Sequence, residues 1–208
     1  MSTWDHTVAL RTDLIEQLAA VPAARWDEPT LCTEWRVRDV VAHLVLPERL
    51  SVLTLAGALV RSGFSIQRFV RDDAIRRGSV PVPELIAAYR AGIDRRTVPP
   101  GRNGEHLLAD LFVHTQDIRR PLGLPWHHDP DLLTLVAGVV QVDSGLGVTR
   151  RVEGLRLRAT DTDWCAGAGA EITGTTEALI LAMHGRTVVL PELAGPGGGE
   201  RRARLSTD

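Results

Sequence analysis

From Thr3 to Gly123 the chain keeps one rhythm: apolar residues recur at the 3.6-residue helical period, and Pro or Gly interrupts them at short intervals. Residues 3–21 place Val8, Leu10, Leu14, Ile15 and Leu18 at helical spacing and stop at Pro22. Residues 37–61 repeat the pattern with Val40, Val41, Leu44, Val45, Leu50, Leu53 and Leu55, and Pro47 is expected to kink this helix one turn past His43. Residues 64–77 and 82–96 read as two further amphipathic helices parted by Gly78 and Pro81. Residues 104–120 form the next, closed by Pro121 and Gly123. Successive helices with short connections bury their apolar faces against one another, which predicts an up-and-down bundle.

The rhythm changes after Trp126. Residues 129–144 read as one more helix, but residues 155–160 alternate Leu-Arg-Leu-Arg-Ala-Thr, the period of a half-buried strand. A turn at Gly167 and Gly169, a short strand near Glu171 and Ile172, and a helix over 175–184 capped by Gly185 follow. The Gly-Pro-Gly-Gly-Gly-Glu-Arg-Arg end is expected to be a tail. The fold class is therefore α+β, with a helical domain over residues 1–126 and a small α+β domain over 127–208.

Charge and cysteine usage remove several functions. The formal net charge is −2, so no global basic field draws nucleic acid. Every cation of the backbone's side chains is Arg, since the sequence holds no Lys; Schiff-base chemistry and a P-loop are excluded with it. Cys32 and Cys165 lie far apart, forming neither a CxxC pair nor a cysteine zinc knuckle. Acidic residues in the first turns argue against a leader peptide, no run is long enough to span a bilayer, and a cytoplasmic location is expected.

Of the seven histidines, most carry no signal. His6 and His184 fall near helix ends, and His127 and His128 sit beside Asp129-Pro130. His43 differs, because Val40, Val41, Ala42, Leu44 and Val45 surround it. A buried imidazole needs a partner. Asp110 and His114 stand one turn apart on another apolar helix, and Asp117 continues that face. A carboxylate and an imidazole one turn apart, joined by a second imidazole from a facing helix, make a two-His-one-carboxylate set. Three protein ligands with an open position are the pattern of catalytic zinc, and the set also suits iron or nickel. Asp117 is placed to accept from the second ring nitrogen of His114. His106 shares the face but lies about 12 Å from His114 along the axis, too far to share an ion. The same residues also suit a buried His–Asp hydrogen bond beside a satisfied core histidine, since spacing alone does not bring two helices together. Arg119 and Arg120 are candidates for binding an anion or for offsetting the helix macrodipole. Asp161, Asp163 and Glu171 read as a solvated acidic group on turns.

The run Trp35-Arg36-Val37-Arg38-Asp39-Val40-Val41-Ala42-His43-Leu44, followed by LLADLFVHTQDIRRPLG over residues 107–123, resembles the mycothiol-dependent maleylpyruvate isomerase family of the DinB-like superfamily. Residues 155–164 and 177–179 resemble that family's C-terminal domain. The resemblance implies a DinB-like antiparallel four-helix bundle followed by a small sterol-carrier-like α+β domain. It implies His43, Asp110 and His114 as ligands of one divalent metal, zinc first, and mycothiol as co-substrate. The function it implies is isomerisation or S-conjugation of a small electrophile, with Arg119 and Arg120 as candidates for a substrate carboxylate. Family members often carry Glu at the position of Asp110 and a small residue at that of Arg36, and the C-terminal part here is short. Two other classes fit the residues: a non-catalytic binding module stabilised by metal, and a metal-dependent hydrolase. The expected partners are a small-molecule thiol and its electrophilic substrate, with no nucleic acid or membrane, and a homodimer is compatible with the pattern.

Overall fold

The computed structural model describes residues 1–45, 57, 63, 65–99, 101–127, 129–143 and 147–195. The chain divides into two compact units, Met1–Pro125 and Trp126–Asp208.

In the first unit, α1 (Thr3–Ala19) starts on a reciprocal cap: Asp5 N–H donates to Ser2 Oγ at 3.2 Å and Ser2 N–H to the Asp5 carboxylate at 2.8 Å. Those bonds favour the charged form and hold the Asp5 carboxyl below its ordinary pKa. A 3-10 turn over Ala23–Asp27 buries Trp26 completely. The helices α2 (Val37–Leu44), α3 (Ile66–Gly78), α4 (Val82–Arg90) and α5 (Gly104–Leu122) follow. α2 packs on α3, α4 and α5, and α1 on α4 and α5. Leu14, Ile15 and Leu18 of α1, Val37, Val40 and Val41 of α2, and Leu108, Phe112 and Ile118 of α5 form the core. Burying each such side chain contributes about 1.5–3 kcal/mol.

Two helix ends depart from the periodicity for visible reasons. The helix expected over 82–96 stops at Arg90, because the carbonyls of Gly92, Ile93 and Arg95 turn to meet the buried Arg11, whose Nη1 donates to them at 2.9, 3.1 and 2.9 Å. Pro121 does not end α5; it lies inside the last turn, and Gly123 ends the helix in the left-handed region at φ 66°. The N–H that Pro121 lacks would have met the Asp117 carbonyl, which instead accepts from Leu31 N–H at 3.1 Å. The loop after Trp26 is thereby fastened to α5.

The second unit holds α6 (Pro130–Val140), α7 (Val148–Val152), three strands and α8 (Thr176–Met183). β1 (Leu155–Ala159) lies between β2 (Cys165–Gly167), to which it is antiparallel, and β3 (Ala170–Gly174), to which it is parallel. The alternation in β1 does what its period implies. Leu155, Leu157 and Ala159 are buried, while Arg156 and Arg158 are exposed beside Glu171. α8 packs on α6, β1 and β3 and is buried along its whole length, which explains why residues 178–183 are apolar all round.

The protein is thus α+β and mostly helical, with one small three-stranded sheet among the described residues. The kink at Pro47, most of the helix beyond it and the Gly-rich tail lie outside the described residues. α7, β2 and the 3-10 turns over Ala23–Asp27 and Thr187–Glu192 were not legible from periodicity, being too short to show a period. Among the described residues no helix is long and apolar enough to cross a membrane.

Candidate metal centre

α2 delivers His43. Its N-terminus is held by Asp39, a buried carboxylate that accepts the Arg36 N–H at 3.0 Å and the Arg36 guanidinium at 2.9 and 3.0 Å. A small capping residue would accept from the first turn; Arg36 cannot, so the N3 carboxylate supplies the cap alone. The same pairing holds the Arg36 guanidinium above its ordinary pKa. α5 delivers Asp110, His114 and Asp117 on one face.

The two helices bring the three proposed ligands together: one donor atom from each of His43, Asp110 and His114 lies within 4.8 Å of the other two. His43 Nε2 is 3.3 Å from one Asp110 oxygen and His114 Nε2 is 3.6 Å from the other. Both separations exceed the roughly 2.8 Å of a charge-assisted N–H···O bond. The carboxylate and the two ring nitrogens therefore stand at separations that leave space for a cation at a point between them. Asp110 reaches that point although its arm is one methylene shorter than glutamate. Its side chain is 44% exposed, against 13% for His43 and 11% for His114, so the group is open to solvent on the carboxylate's side.

The tautomer of His114 is set from behind. Its Nδ1 lies 2.9 Å from the carboxylate of Asp117, which is fully buried. A carboxylate accepts, so Nδ1 carries the proton and Nε2 presents its lone pair toward Asp110. His43 is held differently. Its Nδ1 is buried without a hydrogen-bond partner, and the ring is fixed by packing. Trp35 lies 4.9 Å from it and 5.6 Å from His114, and the imidazoles meet edge-on at 4.8 Å.

Two imidazole nitrogens and a carboxylate, one imidazole oriented by a buried acceptor, match the donor types that a divalent cation with N/O preference requires. Asp117→Asn keeps an acceptor but removes its charge. It is expected to weaken metal affinity about 10–100-fold with helix content unchanged, as read by competition with a chromogenic chelator.

The other sequence candidates fall elsewhere. Arg119 is buried and pairs with Asp13 of α1, so it contributes to the packing of α5 on α1. Arg120 is half-buried. His106 bonds Asn103 in the first turn of α5. His6 is buried in α1, His127 is exposed, and His128 lies outside the described residues. Sequence reasoning passed over two neighbours of the site. Trp35 carried the signal of an aromatic beside the histidine helix. Cys32, whose sulfur lies within 4.8 Å of a His114 ring nitrogen and an Asp117 oxygen, carried none, because its approach depends on the loop fastened at Pro121.

Residues 8–105 match the family described as mycothiol maleylpyruvate isomerase N-terminal domain. The N-terminal unit is similar to that family over those residues. The match takes in Trp35 and His43 and ends in the first turn of α5, so Asp110 and His114 lie beyond it. Two solved structures are similar to the chain as a whole. The crystal structure of the mycothiol-dependent maleylpyruvate isomerase is 15% identical with a TM-score of 0.63, over 94% of this chain and 92% of that one. A histidine-to-alanine mutant of that isomerase is 14% identical, with the same TM-score and coverage. At that identity the likeness is one of fold. A comparison with curated protein sequences finds no match.

Proposed function

We propose that the N-terminal unit, with the unit that follows it, is a metal-dependent enzyme that uses a low-molecular-weight thiol. The thiol is mycothiol, and the reaction is isomerisation or S-conjugation of a small electrophile. One observation carries the reading: two imidazoles and a carboxylate from separate helices converge, with the His114 tautomer set by Asp117. The family and the shared fold point the same way. We further read the N-terminal unit as a DinB-like antiparallel four-helix bundle over residues 1–126, and residues 127–208 as its sterol-carrier-like companion.

His43, Asp110 and His114 would hold the cation, with zinc first among those the donors suit and nickel or iron next. A divalent cation with an open position supplies a thiol held as thiolate at neutral pH, poised for an electrophilic carbon. The chain's residues do the rest. Asp117 keeps the Nδ1 proton of His114 in place. Trp35 covers both imidazoles and excludes water on that side, and Asp110 leaves its own side open to the thiol and substrate. Arg120, one turn beyond, is the candidate for a substrate carboxylate, with Arg119 engaged by Asp13.

The test combines metal analysis of purified, untagged protein with turnover of an electrophilic cis-enone acid in the presence and absence of thiol. The reading expects about one equivalent of zinc, nickel or iron and turnover that depends on thiol. Isomerisation without thiol would overturn the reading, hydrolysis of an ester or amide probe without thiol would instead identify a hydrolase, and a protein that takes up no metal after reconstitution would be a binding module.

A further inference from the structure

The loop carrying Cys32 is pinned at four points. Cys32 N–H donates to Thr30 Oγ1 at 3.2 Å, Trp35 N–H donates to the Cys32 carbonyl at 3.1 Å, Thr30 N–H donates to the Trp35 carbonyl at 3.2 Å, and Leu31 N–H is bonded to the Asp117 carbonyl. The thiol is consequently held near His114. One donor atom from each of Cys32, His114 and Asp117 lies within 4.8 Å of the other two. This group is separate from the one that includes His43 and Asp110, and the two share only His114.

We propose that Cys32, His114 and Asp117 form a second ligand set, for a thiophilic divalent cation such as cadmium or zinc, which competes with the first set for His114. The first set offers nitrogen and oxygen alone; the second adds sulfur, and softer cations prefer it. When a cation binds, a sulfur–metal bond forms and the thiol proton leaves to solvent, while Asp117 enters as a carboxylate and needs to lose nothing. His114 supplies one lone pair. A neutral imidazole has only one to give, so a cation in the second set takes it from the first, whichever ring nitrogen is used. Cys32 is half-buried whereas His114 and Asp117 are buried, so the cation enters past the sulfur. The consequence is a route by which soft metals switch off the first site without touching His43 or Asp110.

A sulfur ligand is read directly by its charge-transfer band. Cys165 is exposed and free, so the work uses a Cys165→Ser background. Metal-free protein of that background is titrated with cadmium, and its His43→Ala derivative with cobalt, while the sulfur-to-metal charge-transfer band in the ultraviolet is followed. Both titrations should develop the band with about one equivalent of metal, and Cys32→Ser should abolish it in both. Absence of the band in both titrations, or its persistence after Cys32→Ser, overturns the proposal. The first set is read separately, from the visible bands of cobalt in Cys32→Ser protein. If those are missing while the sulfur band is present, the reading of the first set fails and this one stands.

Discussion

His114→Ala is expected to empty the metal site and to destabilise the N-terminal unit in the same step. The imidazole contributes the lone pair aimed at Asp110 and also the Nδ1–H that the buried Asp117 carboxylate accepts. Its removal therefore costs a ligand and leaves a carboxylate inside the protein without that donor. Leaving a buried acceptor short of a hydrogen-bond donor costs about 1–3 kcal/mol, and more for a charged group. His43→Ala removes a ligand as well, but its Nδ1 has no hydrogen-bond partner and only ring packing is lost. Made in a Cys32→Ser background, where the second set lacks its sulfur, the two variants should be equal in metal content, close to zero, and unequal in stability, with His114→Ala melting well below His43→Ala. Elemental analysis, circular dichroism and thermal unfolding of the pair check this. A full equivalent of metal retained in either variant would falsify the ligand set. Equal melting temperatures would show that Asp117 does not depend on His114.

The helices that carry the site were legible because each presents its own evidence. His43 inside Val40-Val41-Ala42-His43-Leu44-Val45 needs a partner once the helix is buried, and the spacing of Asp110 and His114 places them on one face. What spacing withholds is the tertiary step. That α2 meets α5 with both imidazoles around one carboxylate depends on the packing of four helices, and no local period encodes it. Cys32 illustrates the limit. Its distance from His114 follows from Leu31 N–H bonding the carbonyl that Pro121 leaves unused, a contact between residues far apart in the chain. The reach of the helix expected over 82–96 failed for the same kind of reason, since Arg11 on α1 takes the carbonyls beyond Arg90. β1 was readable because five alternating residues suffice for a period of two; β2, with three, shows none.

Gly78→Ala is expected to be the most damaging single methyl in the N-terminal unit, against the usual rule. Within a helix alanine is favoured over glycine by about 1 kcal/mol. Gly78 closes α3 where that helix lies against the start of α2, and a Cβ there would stand 2.2 Å from Asp39 Oδ1, 3.0 Å from Asp39 Cα and 3.2 Å from the Arg38 carbonyl. Two of those atoms are backbone and cannot swing away. The third belongs to the carboxylate that bonds the Arg36 N–H and guanidinium at the head of α2. Relief therefore means moving α3 off α2 or breaking the cap. We expect a loss of about 3 kcal/mol, at the upper end for overpacking, and a melting temperature lower by on the order of 10 °C. Gly138→Ala in α6 is the matched control, because a Cβ there meets nothing within 4 Å; it should gain a few tenths to about 1 kcal/mol. The damage at Gly78 should also reach the metal. His43 sits one helical turn past Asp39, so a displaced α2 changes its approach to Asp110, and metal affinity should fall together with stability. If Gly78→Ala melts lower but binds metal with undiminished affinity, the cap at Asp39 holds the helix without setting the position of His43.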